Sequence, residues 1–125
     1  MTNVTERIKQ LTEKFLRKEL FVIVSKPVAP RSEHERTLPD HLEHQIRLEK
    51  AGVIFAAGPM FNEDGTEGHG MIVIRAASFD AAKAIADSDP WFKTGVRSYT
   101  ITRWMVYEGS YSVRINYSDQ SVTID

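Results

Sequence analysis

Residues 40–59, DHLEHQIRLEKAGVIFAAGP, decide the fold. They open as a helix carrying His41 and His44, close at Gly52, and pass at once into an apolar run, VIFAA, that stops at Gly58-Pro59. A helix followed directly by a buried strand is the rhythm of a helix laid on a sheet. Further along, Asp89-Pro90-Trp91-Phe92 places a carboxylate in a tight turn behind a second helix. Together the two segments suggest a histidine/aspartate site on a small α+β domain.

Working outward, the helix is expected from about Leu38, with Pro39 in its first turn and Gly52 just past its C-terminus. Residues 26–35 then read as a loop, and residues 20–25, LFVIVS, as a first strand stopped by Pro27 and Pro30. Val4, Ile8, Leu11 and Phe15 recur at helical spacing behind Asn3 and Glu6, which have the spacing of a capping box; this predicts an amphipathic helix over residues 3–18. Downstream, residues 61–70, FNEDGTEGHG, hold three glycines and are expected as a mobile connection, a candidate lid. Residues 71–75, MIVIR, form the third strand, Ser78 caps a helix reaching Asp87, and residues 91–96 make a turn or short helix. Residues 99–107 alternate as a fourth strand. Tyr111, Val113, Ile115 and Tyr117 keep a period of two before residues 118–121 turn into Val122 and Ile124, which predicts a terminal hairpin.

Leaving out the ends, the order is strand, helix, strand, strand, helix, strand: a ferredoxin-like βαββαβ unit of the α+β class, with an antiparallel sheet covered by helices on one face. The bare face needs a cover, and a second subunit stacked sheet on sheet supplies one, so a homodimer or a higher assembly is expected. The 125 residues, 42% hydrophobic, suit a single domain over residues 1–125. Within it, residues 1–19 are a helical extension, 20–108 the core and 109–125 a hairpin extension.

Sixteen Lys and Arg against 17 Asp and Glu give a net charge of -1 with neither sign gathered into a run, which argues against a nucleic-acid partner. Cysteine is absent, excluding thiolate catalysis, disulfides and cysteine-based metal sites, and fitting a reducing cytoplasm. No apolar run reaches membrane-spanning length and the first residues lack an apolar leader, so neither a membrane partner nor export is expected.

Leu38, Leu42, Ile46 and Leu48 define one helical stripe, with His41 at its edge and His44 outside it, so His41 should be half buried and His44 solvated. In this topology the start of the first helix lies near the end of the second, where the turn carrying Asp89 follows. A carboxylate beside an imidazole fixes its tautomer and prepares it for proton transfer near neutral pH. Equally, Asp89 before Pro90 is a good N-cap on its own, and capping does not exclude orienting a histidine. His41, His44 and His69 are the remaining candidates for metal ligation, but they lack the HExxH pattern, and no metal is expected. The glycines at 58, 68 and 70 open no helix, so a nucleotide site is not expected either.

HLEHQIRLEKAGVIFAAGP, FDAAKAIADSDPWFKTGV and ITRWMV resemble the three signature blocks of YciI-related (YCII domain) proteins, over roughly residues 20 to 108. The resemblance implies a dimeric α+β barrel of ferredoxin-like subunits, with His41 and Asp89 as the histidine/aspartate site. The wider superfamily includes muconolactone isomerase-like enzymes, and one YciI-like branch removes chloride from a chlorinated hydroxyhydroquinone. Short members often carry an arginine just before the histidine. Leu38 stands there in this chain, with Arg36 and Arg31 nearest.

Two functions follow as expectations. One is a cofactor-free enzyme performing proton transfer, elimination, dehydrochlorination or isomerisation on a small cyclic or phenolic acid. His41 would be its base and Asp89 the orienting partner, with Arg36, His69, Gly58 and Pro59 at the substrate. The other is a non-catalytic small-ligand-binding or assembly module.

Overall fold

The computed structural model describes residues 3–125. Its elements are α1 (Val4–Thr12), β1 (Lys18–Pro27), α2 (Arg31–Lys50), β2 (Ile54–Phe61), β3 (Glu67–Ile74), α3 (Phe79–Asp87), α4 (Pro90–Lys93), β4 (Arg97–Val106), β5 (Val113–Ile115) and β6 (Val122–Ile124). The chain divides into two compact units, Glu19–Met105 and a second built from residues up to Lys18 with Val106–Asp125. The two terminal extensions, expected as separate additions to one domain, thus share a unit.

In the larger unit the strands run in the order β2-β3-β1-β4, with β3 antiparallel to both β1 and β2. This is the ferredoxin-like arrangement. Phe21 and Ile23 of β1 and Ile72 and Ile74 of β3 meet Ala82 and Ala86 of α3 in one apolar cluster, the small alanines letting the helix approach closely. Ser78 caps α3 by accepting the Ala81 amide at 3.1 Å, as its sequence predicts. Phe79 of α3 meets Phe21 edge-on, ring centroids 5.0 Å apart.

Three boundaries differ from expectation. Helix α2 begins at Arg31, so residues 31–35, expected as loop, are its first turns. Ion pairs Arg31–Glu35 and Glu33–Arg36 at helical spacing, and Glu33 in the first turn, favour that start. Pro39 therefore lies inside the helix rather than in its first turn, leaving the carbonyl of Glu35 without its usual amide partner. The orientation of α2 also differs: Leu38, Leu42 and Ile46 are exposed at 37%, 49% and 51%, while Thr37 and His41 are buried. The inward row is thus Thr37, His41, His44 and Leu48, and the other three residues of the apolar stripe stay exposed.

The second difference is at residues 61–70, expected as a mobile lid. Strand β2 continues to Phe61 and β3 starts at Glu67, so only residues 62–66 connect them. That turn is closed by Asn62 N–H to Thr66 C=O at 2.8 Å, and Asp64 accepts from both the amide and the hydroxyl of Thr66. A hydrogen-bonded hairpin turn takes the place of the longer loop.

In the smaller unit α1 is capped by the Asn3 side chain accepting the Glu6 amide, but it ends at Thr12 instead of residue 18. Arg17 takes φ +52°, outside helical space, and its guanidinium donates back to the carbonyls of Thr12 and Glu13. Strands β5 and β6 pair antiparallel, as the alternation predicts. Among the described residues no helix is long and apolar enough to cross a membrane.

Candidate active site

The Asp89 side chain performs two tasks because of where α4 begins. As N-cap it accepts the Trp91 amide at 2.9 Å, with Pro90 supplying the first helical position. Its two carboxylate oxygens each lie 2.9 Å from Nδ1 of His41 on α2. Both side chains are buried, at 5% exposure for His41 and 3% for Asp89. A carboxylate only accepts here, so Nδ1 carries the hydrogen and the lone pair of the neutral ring resides on Nε2. His41 lines a cavity of about 430 Å³, and Nε2 is the ring nitrogen left free for it.

Trp91, two residues past the cap, fixes the plane of the ring: the His41 imidazole stacks on its indole with centroids 3.4 Å apart and planes within 10°. Arg97, at the start of β4, lies over the same indole at 4.8 Å. Its guanidinium is buried and donates to the hydroxyl and carbonyl oxygens of Ser25 on β1 at 3.0 and 3.2 Å. Gly70 of β3, paired with Ser25, makes room for this contact; a Cβ there would meet the Ser25 hydroxyl at 2.9 Å. Burial pushes Arg97 below its ordinary value, with the charges of Glu67 and Asp89 opposing.

Sequence reasoning missed Arg97. One signal was available: Arg97, Tyr99 and Ile101 share a strand face, and Tyr99 and Ile101 pack against the core, so the alternation points a charge inward.

The other nominated residues fall in different places. Gly58 and Pro59 line the cavity, as do Leu38, Leu42, Ile46 and Phe55, giving it a mainly apolar wall. Arg36 does not line it: an exposed side chain, it donates to Glu33 along its own helix. The early start of α2 turns it away. His69, exposed on β3, does not line it either, because strand alternation puts it on the opposite face from Gly70. His44, expected as solvated, is half buried with Nε2 at 3.0 Å from the Ser88 hydroxyl, and burial lowers its pKa. Among the described residues no three side chains are grouped to hold a metal ion, and His41, His44 and His69 are not brought together.

A second cavity of about 450 Å³ shares Leu38, Glu67, Trp91 and Arg97 with the first and is lined also by His34. Two buried nitrogens, Nε2 of His34 and Nε1 of Trp91, have no hydrogen-bond partner. His34 is pushed below its ordinary value by burial first and by the Arg97 charge second.

A ferredoxin-like sheet thus carries a buried His41/Asp89 pair whose histidine lines a largely apolar cavity. The chain belongs to the YCII family, the YCII-related domain, whose model matches residues 19–105. Among solved structures it is similar to 5-chloro-2-hydroxyhydroquinone dehydrochlorinase (TftG) from Burkholderia phenoliruptrix AC1100, in complex with 2,5-dihydroxybenzoquinone. The two are 25% identical with a TM-score of 0.54, over 68% of this chain and 92% of that one. No curated protein matches the sequence.

Proposed function

We propose that the cavity beside His41 is the active site of a cofactor-independent enzyme performing acid-base chemistry on a small cyclic or phenolic organic substrate. The observation that carries this reading is the buried Asp89 carboxylate holding Nδ1–H of His41, which leaves Nε2 as a base on the cavity side. Nε2 takes a proton from a carbon or hydroxyl of the substrate. In an elimination the freed electron pair forms the new π bond as chloride leaves with the C–Cl pair; in an isomerisation the proton returns at another carbon. The dehydrochlorinase activity of the similar structure, and its cyclic ligand, support this class of substrate. The apolar wall from Leu42, Ile46 and Phe55 suits one face of a ring.

The test is chloride release from 5-chloro-2-hydroxyhydroquinone by the full chain. Replacing His41 by Asn is expected to lower the rate about 10²- to 10⁴-fold. An undiminished rate in that variant overturns the assignment of the base.

We infer also that the protein acts in the cytoplasm as a homodimer. The exposed stripe of Leu38, Leu42 and Ile46 supports the dimer, as do Tyr117, Tyr111 and Ile124 at 95%, 75% and 72% exposure. The absence of cysteine supports a reducing compartment.

A further inference from the structure

We propose that Arg97 is an anion-binding residue, and that the ligand of this cavity is a ring compound bound through a negatively charged oxygen. This rests on reading the cavity as a substrate site, and deepens it by naming the charge the ligand must carry.

Arg97 is only 5% exposed, yet none of the ion pairs among the described residues includes it. Its observed partners are the two oxygens of Ser25, both neutral, and the face of Trp91. A guanidinium has five N–H donors in a planar fork, so these bonds leave a set of donors unused and the positive charge without an ion-pair partner. Keeping a charge out of water without a counter-charge is costly, and the cost is removed when an anion completes the site. The nearby carboxylates do not serve. Asp89 is occupied by His41 and the Trp91 amide, and Glu67 is an exposed rim residue outside ion-pairing reach.

The surroundings are built for this role. Arg97 lines both cavities, at the wall they share, and the unpartnered nitrogens of His34 and Trp91 belong to residues of that wall or beside it. Gly70 leaves the space in which Ser25 grips the guanidinium, so the arginine is held by its Nε edge. His41 and Arg97 both contact Trp91, and all three line the same cavity, which brings a base and a cation to one aromatic landmark. An oxygen anion on Arg97 would orient the ring between the two. Charge on that oxygen grows when His41 removes a proton from a position conjugated to it, so the contact would strengthen along the reaction.

A carboxylate and an ionised phenol or enol share this chemistry, and two probes separate them. Benzoate, 4-nitrophenolate and the neutral benzamide are titrated into the full chain by calorimetry at low salt. At least one anion is expected to bind tenfold or more tightly than benzamide, with the preferred probe reporting the class of oxygen. The preference is expected to vanish in Arg97→Gln and to persist in His41→Asn. Benzamide binding as tightly as both anions overturns the proposal on the unaltered chain, whether or not the arginine variant folds. An anion preference retained in folded Arg97→Gln overturns it as well. Anion binding that depends on Arg97 without chloride release leaves this inference standing and removes the proposed reaction. Release that depends on His41 without anion preference does the reverse.

Discussion

At Asp89 one side chain both starts a helix and holds an imidazole, and substitutions separate the two tasks. Asparagine is as good an N-cap as aspartate, so Asp89→Asn is expected to leave thermal stability nearly unchanged. Its amide no longer supplies the carboxylate that fixes the proton on Nδ1, so turnover should fall by at least an order of magnitude. Equal losses of stability and turnover, measured by thermal melts and initial rates, would mean the residue is only structural. Gly70 offers a second test. A methyl group there meets the Ser25 hydroxyl at 2.9 Å, so Gly70→Ala should cost about 1–3 kcal/mol in denaturant unfolding. Combining it with Ser25→Ala removes the obstructing oxygen, and the double variant should be more stable than the sum of the two losses predicts. Simple additivity would show that the close contact is not the source of the cost.

Helix α2 shows why periodicity located the element without orienting it. Leu38, Leu42, Ile46 and Leu48 mark a stripe, but the helix sets Thr37, His41 and His44 toward the interior because Asp89 and Ser88 satisfy the two imidazoles there. Partners 44 and 48 residues away supply those hydrogen bonds, and local spacing carries no information about them. The inward histidine has a consequence for pH. The ordinary value for His44 is 6.5, and burial lowers it in the folded state. Well above that value neither folded nor unfolded chain is protonated at His44. As pH falls through 6.5 the unfolded chain takes up a proton that the folded chain resists, so stability is lost on acidification down to the folded value. Melting temperature should therefore drop between about pH 7.5 and 5.5. His34, lowered likewise by burial, adds to the loss in the same window, so His44→Gln, which keeps a donor for Ser88, should reduce the drop without abolishing it, and an unchanged slope would show that His44 is not a source of it. Exposed Asp64, Asp87 and Asp119, each lowered by hydrogen bonds, lose their contribution only at pH below 3.8, clear of this window.

For the whole molecule, the exposed apolar groups of α2 and of the smaller unit lead to an assembly prediction. Light scattering at micromolar concentration is expected to give twice the mass of the chain, and a stable monomer would remove the inferred dimer. The order of helices and strands was legible because each α/β switch is marked locally, by Gly52 after α2, Ser78 before α3 and Pro90 at α4. The His41/Asp89 contact was legible as well, although α2 starts at Arg31 and His41 therefore lies in mid-helix rather than at the helix start the topology argument assumed. The hairpin at residues 62–66 was expected as a longer mobile connection because glycine-rich composition does not reveal that Asp64, Thr66 and Asn62 bond one another. Arg97 was missed because nothing near it in sequence announces a buried charge; Ser25, Gly70 and Trp91 arrive from three other elements. The sequence by itself determined which segments are helix and strand and the order of their connections, since those depend on contacts within a few residues. Only the tertiary structure decided which face of α2 turns inward, which arginine enters the cavity and which nitrogen of His41 stays free, since hydrogen bonds between distant residues set all three.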